Sequence, residues 1–134
     1  MEVKKVFQTD KAAVTGGPYS QAIIHNGIIY VSGVGAVDPQ TNEIKLGTVE
    51  EEAGLALENL RIILEEAGSS LDNALTVTVY LLDIEEYARF NEVYKKYFKE
   101  NRPARTCIQA GSLPFGTRVE ITATACVSRV SLNS

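Results

Sequence analysis

Three side chains between Pro103 and Ile121 carry the means to act on a small acid: Arg105, Cys107 and Glu120. The segment PARTCIQAGSLPFGTRVEI reads as two short strands joined by a Gly/Pro-rich loop, the first bearing Arg105 and Cys107 and the second Glu120. Pro103 biases the chain that enters it toward an extended conformation. A guanidinium on a rigid strand holds a carboxylate through two parallel hydrogen bonds. A carboxylate on the neighbouring strand orients or deprotonates a water. A cation that anchors an acid, with an acid that handles water, suggests chemistry on a small carboxylate substrate. On these residues alone the plainer account is the better one: an Arg105–Glu120 surface ion pair, worth ~0–1 kcal/mol.

Other polar residues sit where a ligand could meet them. In TGGPYSQ, at 15–21, two glycines free the backbone and Pro18 restrains it, with Tyr19 and Ser20 at the turn. Tyr19 could close over a ligand, although a surface tyrosine is the simpler reading. Ser32 and Gly33 end an apolar run, and a glycine there admits a ligand or a second backbone. Asn91 follows Phe90 on a helical pattern, where a solvated role is the simplest. His25 precedes Asn26-Gly27 and reads as a solvated turn residue. Neither Cys107 nor Cys126 belongs to a CxxC pair, and with a single histidine no zinc constellation emerges. No metal or other cofactor is expected.

These residues must be carried by one domain of 134 residues, large enough to bury ~68% of its unfolded surface. Composition is that of an ordinary globular protein, 45% hydrophobic and 22% charged. A net charge of −4 gives no overall pull toward nucleic acid or anionic membrane. No apolar run spans a bilayer, and MEVKKVFQTDKAAV has neither a secretory h-region nor transit-peptide character. The expected location is the cytoplasm, where a disulfide is not expected.

The elements follow from periodicity. A short strand is predicted around Val3 to Phe7. Ala22–His25, Asn26-Gly27 and Ile28–Val34 form a β-hairpin pattern. Residues 35–47 read as an irregular turn or small hairpin. Thr48 and Glu51 fit a capping box opening a helix that stops at Gly68, with Val49, Ala53, Ala56, Leu57, Leu60, Ile63, Leu64 and Ala67 on one face. Ala74–Leu82 alternates as a strand, and Asp83 and Glu86 can cap a second helix from about Ile84 to Lys99. Tyr87, Phe90, Tyr94 and Tyr97, with Phe98, are its predicted inner face. Arg118–Val127 is the last strand, and 129–134 reads as a frayed tail. The order β-β-β-α-β-α-β-β gives an α+β layer architecture: a mixed sheet with two helices on one face and a semi-polar Thr/Cys/Glu face on the other. Such a face suggests a homo-oligomer.

Several segments together then resemble one family. GPYSQA at 17–22, YVSG at 30–33, LENLRIILEEAGSSLDN at 57–73, FNEVYKKYF at 90–98, PARTCIQ at 103–109 and LPFGTRVEITATA at 113–125 are similar to the RidA family, also called YjgF and known earlier as perchloric-acid-soluble translation inhibitors. The similarity covers roughly residues 3–128, in a single RidA-like domain of residues 1–134. It implies a chorismate-mutase-like fold and a homotrimer whose sheets form a barrel, with sites in clefts between subunits. It implies hydrolysis of reactive 2-enamine and 2-imino acids, such as 2-aminoacrylate/2-iminopropanoate and 2-iminobutanoate, to 2-oxo acids and ammonia. By the same resemblance Arg105 binds the substrate carboxylate, Glu120 is linked to the attacking water, and Tyr19, Ser32, Gly33, Asn91 and Cys107 line the pocket.

Departures from the family pattern fall at Val34-Gly35-Ala36, Phe115 and Thr122, and they bear on which imino acid is preferred. Two other activities compete. One is an endoribonuclease or translation inhibitor, which the net acidity and the lack of an aromatic-plus-basic track count against. The other is a non-catalytic trimer that binds small 2-oxo acids.

Overall fold

The computed structural model describes residues 2–14 and 16–128; the predicted tail at 129–134 lies outside them. The strands are β1 (Lys5–Phe7), β2 (Ala22–His25), β3 (Ile28–Val34), β4 (Ala74–Leu81), β5 (Ala104–Gln109) and β6 (Val119–Cys126). The helices are α1 (Val49–Glu66) and α2 (Tyr87–Tyr97). All six strands join one sheet in the order β1-β2-β3-β6-β4-β5. Only β4 and β5 pair in parallel, across the α2 crossover. β6 lies antiparallel between β3 and β4, so those two strands run the same way with β6 inserted between them.

Local chemistry accounts for the element ends. Asn26 (φ 51°) and Gly27 (φ 78°) supply the two positive φ angles of a tight hairpin turn between β2 and β3. The Thr48 hydroxyl accepts from Glu51 N at 3.1 Å, and the Glu51 carboxylate accepts from Thr48 N at 2.9 Å, closing the predicted capping box. Gly68 (φ 87°) ends α1, and Ser69 N donates back to Leu64 O at 2.8 Å. Val37 bridges Ile44 inside the predicted small hairpin.

The core lies between the sheet and the helices. Val77, Val79 and Leu81 of β4 and Val119, Ile121, Ala123 and Ala125 of β6 meet Leu57, Leu60, Leu64 and Phe90 of the helices. The inner face of α1 is not purely apolar: Glu52 and Asn59 are buried on it. Asn59 accepts from Ala13 N at 2.7 Å and donates to Val37 O at 2.7 Å, tying two long connections to the helix. Glu52 accepts from Arg118 N at 2.6 Å and Gly47 N at 3.1 Å, anchoring the start of β6.

Three expectations change. A single 3-10 turn at Ile84–Glu86 precedes α2, which begins at Tyr87. Asp83 caps that turn, whereas Glu86 pairs with Arg118 at 3.3 Å. Tyr87 is 42% exposed and leaves the core to Phe90, Tyr94 and Phe98, because it is the first residue of α2 and its ring lies against Arg105 on the edge strand β5. Finally, β5 and β6 are not neighbours: β4 lies between them. A βαβ unit returns its second strand beside the first, so β5 takes one flank of β4 and leaves the other to β6.

Candidate active site

Placing β4 in the middle separates Arg105 from Glu120. Arg105 pairs in register with Val77, which faces the helices, and Glu120 pairs with Tyr80, which faces away from them. The two side chains therefore emerge on opposite faces. Two inter-strand steps and three residues along β4 put their Cα atoms roughly 14 Å apart. The ion pair that the sequence suggested is geometrically excluded within one chain. The expected site residues divide into two groups, each built by its own elements.

The first group belongs to the free edge of β5 and the neighbouring face of α2. A cleft here is lined by Asn91, Tyr94, Lys95, Arg102, Pro103 and Arg105. Arg105 rests on an aromatic bed: its guanidinium carbon stands 4.6 Å from the Tyr94 ring centre, 5.5 Å from Tyr87 and 5.9 Å from Phe90. Its Nη2 donates to the Tyr87 hydroxyl at 3.0 Å. Among the described residues no carboxylate reaches it. An oriented guanidinium without an internal acid is suited to an external carboxylate. Beside it, Asn91 Oδ1 and the Tyr94 hydroxyl are buried without a hydrogen-bond partner among the described residues. Asn91 is thus not the solvated residue its position suggested. Cys107 follows Arg105 on the helix-facing side and packs against the core. Burial raises its thiol above the ordinary value of 9.0, so it stays protonated at neutral pH and is a poor nucleophile.

The second group lies on the other side of the sheet, where Tyr19, Ser32, Gly33, Pro114 and Glu120 line a shallow pocket. Ser32 is held by the preceding loop: its hydroxyl donates to Ser20 O at 2.6 Å and its N–H to Gln21 O at 2.9 Å. The register of β3 against β6 shifts between Val31 and Val34, at Ser32 and Gly33. A Cβ on Gly33 would lie 2.5 Å from Glu120 Oε2, so the glycine makes room for this carboxylate to lie across β3. Burial raises Glu120 above its ordinary 4.5, the direction that makes a carboxylate a better base. Tyr19 is half exposed at the rim, and a Cβ on Gly17 would collide with its ring. Phe115, beside Pro114, is 74% exposed at φ 62°, in the left-handed region.

The linings also include residues with no predicted site role: Tyr94, Lys95, Arg102 and Pro103 in the cleft, and Pro114 in the shallow pocket. Tyr94 is core as its helical spacing predicts, and both it and Tyr87 also touch Arg105. Their hydroxyls were the only available signal, since phenylalanine at the same spacing would fill a core as well. Pro114 sits in a loop whose approach to β3 only the folded chain shows.

Known proteins share this arrangement of elements. Residues 9–127 match the family model described as Endoribonuclease L-PSP. A human protein named 2-iminobutanoate/2-iminopropanoate deaminase is 44% identical over 123 residues, 92% of this chain and 90% of that protein. A RutC family protein of Pyrococcus abyssi is 44% identical over 122 residues, 91% of this chain and 96% of its own length. Among solved structures, RidA from an Antarctic Psychrobacter superposes with a TM-score of 0.87 at 36% identity, covering 92% of this chain and 99% of that one. E. coli TdcF with bound serine superposes with a TM-score of 0.86 at 37% identity, covering 92% and 99%. Sequence similarity along nearly the whole chain and a common three-dimensional fold agree: the chain belongs to the RidA/YjgF family and has its chorismate-mutase-like α+β fold.

Proposed function

We propose that the protein hydrolyses 2-enamine and 2-imino acids, 2-iminopropanoate and 2-iminobutanoate among them, to 2-oxo acids and ammonia, in clefts between the subunits of a homotrimer. The observation that carries this reading is the division of the site. An oriented guanidinium without an acid partner lies on the helix side of an edge strand. A carboxylate with a raised pKa lies on the open face of the same sheet. One small substrate cannot span roughly 14 Å between their backbones, so the two must come from different subunits to share it. The relatives named as imine deaminases support the choice of reaction.

The mechanism follows from the groups present. Arg105 of one subunit holds the substrate carboxylate through its fork, turning an encounter into a positioned reaction. The imine nitrogen, protonated or hydrogen-bonded, makes C2 electrophilic. A backbone carbonyl near Cys107, on the unpaired edge of β5, holds the iminium N–H. Glu120 of the neighbouring subunit orients a water and takes its proton as the oxygen bonds to C2. The carbinolamine then collapses: Glu120 returns its proton to the amino nitrogen, the C–N bond breaks with its electrons leaving on ammonia, and the hydroxyl proton passes to Glu120 as the C2 oxygen becomes the carbonyl of the 2-oxo acid. Cys107 serves as pocket wall. Tyr19, Ser32, Gly33 and Asn91 shape the cavity around this path.

The direct test is release of ammonia and 2-oxo acid from freshly generated 2-iminopropanoate and 2-iminobutanoate. Wild-type protein is expected to accelerate hydrolysis above the spontaneous rate. Arg105→Ala is expected to lose on the order of 10²-fold or more in kcat/KM with fold and oligomer intact. Full activity in Arg105→Ala would overturn the assignment of the carboxylate anchor.

A further inference from the structure

Tyr94 is the anomaly in the Arg105 cleft. It is only 7% exposed, yet its hydroxyl has no hydrogen-bond partner among the described residues. A buried hydroxyl left unpaired is costly, and phenylalanine would fill the same space without that cost. The ring already has a task, since it stacks on Phe98 at 4.5 Å between centres and supports the Arg105 guanidinium at 4.6 Å. Phenylalanine would do that almost as well. The hydroxyl is therefore unaccounted for by packing.

Its surroundings suggest what it meets. Tyr94 lines the cleft that Arg105, Asn91, Lys95, Arg102 and Pro103 share. Arg102 is turned back by a bond from its Nε to Phe98 O at 2.7 Å, and Lys95 is engaged by Glu92 at 2.9 Å. Among the described residues Arg105 donates only to the Tyr87 hydroxyl, which leaves most of its donors free. The Tyr94 ring supports this guanidinium and lines the same cleft, so a carboxylate clamped there lies next to Tyr94. Burial also pushes the phenol up to about 12, so it remains a donor at every physiological pH.

We propose that Tyr94 is a further substrate-binding residue, its ring carrying Arg105 and its hydroxyl donating to the carboxylate that Arg105 holds. The inference rests on the proposed imino-acid function, and it adds to the clamp a second, uncharged donor from α2. Two donors of fixed direction distinguish a carboxylate from a neutral amide more sharply than a guanidinium alone.

The test compares wild type, Tyr94→Phe, Tyr94→Leu and Arg105→Ala. Titration calorimetry with 2-oxobutanoate gives the dissociation constant, and hydrolysis of 2-iminobutanoate gives KM and kcat. Tyr94→Phe keeps the ring and the volume. It is expected to raise both Kd and KM roughly tenfold, as loss of one hydrogen bond to a charged group does, with kcat changed less than threefold and the thermal midpoint unchanged or higher. Tyr94→Leu, which also removes the bed of the guanidinium, is expected to approach Arg105→Ala in Kd. Unchanged Kd and KM in Tyr94→Phe would overturn the proposal. So would unchanged Kd accompanied by a weaker oligomer in sedimentation, which would place the hydroxyl against a neighbouring subunit. Wild-type protein that neither binds 2-oxobutanoate nor accelerates imine hydrolysis would remove the deaminase reading together with this one. A wild type that does both, beside a Tyr94→Phe that matches it, would remove only the role of Tyr94.

Discussion

At the scale of single residues, Gly33 and Glu120 work as one unit. Adding a Cβ at 33 puts it 2.5 Å from the Glu120 carboxylate, which must then move. Gly33→Ala is expected to fold normally and to lose roughly 10²-fold in kcat, because displacements of about an ångström cost that much in a positioned reaction; activity within twofold of wild type would show that Glu120 works from another position. Glu120 also has a pH signature. It must be ionised to take a proton from water, and burial raises it above 4.5. The acid limb of kcat/KM is therefore expected above the ordinary carboxylate range, and Glu120→Gln should lose the activity that this limb reports. Stability has the opposite slope. The native chain retains a proton that the unfolded chain has released, so stability falls as pH rises from 4.5 through the raised value and levels off above it. Urea midpoints measured across that window should show this slope in the wild type and its loss in Glu120→Gln.

At the scale of elements, α1 is more than an apolar stripe. Periodicity alone identified its buried hydrophobic face, and the capping box identified its start. Asn59 did not stand out, because an asparagine on a helix is ordinarily solvated. In the fold it holds Ala13 N and Val37 O, in two connections outside the six-stranded sheet. Asn59→Ala would leave both groups unpaired, at about 1–3 kcal/mol each. A lower urea midpoint with unchanged helix content is the expected result, and an unchanged midpoint would show that water replaces the side chain without cost. On α2 the same kind of reading went too far. Tyr87, Phe90 and Tyr94 share helical spacing, yet Tyr87 is 42% exposed and its hydroxyl accepts from Arg105. Spacing marks the inner face of a helix but not where along its length that face leaves the core.

At the scale of the whole molecule, the two groups of site residues can meet only if one chain lends its β5 edge to the open face of another. This predicts complementation. Arg105→Ala and Glu120→Gln are each expected to be inactive alone. Dissociated together and allowed to reassemble, they should recover roughly a quarter of wild-type activity, because a head-to-tail ring of mixed subunits restores both groups in about that share of its clefts. No recovery, with mixed oligomers demonstrated, would place the site within one chain.

The amino-acid sequence by itself determined the elements, their alternating and helical faces, the Asn-Gly hairpin, the capping box and the family. Each depends on neighbours a few residues apart, or on motifs such as PARTC and GPYSQ that need no knowledge of contacts. It also supplied the residues with chemistry to offer. Only the tertiary structure decided how they are grouped. Strand order is set by long-range pairing and by the α2 crossover, and it put β4 between Arg105 and Glu120. With a two-residue period, Arg105 in register with inward-facing Val77 and Glu120 in register with outward-facing Tyr80 must face opposite ways. A pair adjacent in the linear reading thus lies on opposite faces of one sheet.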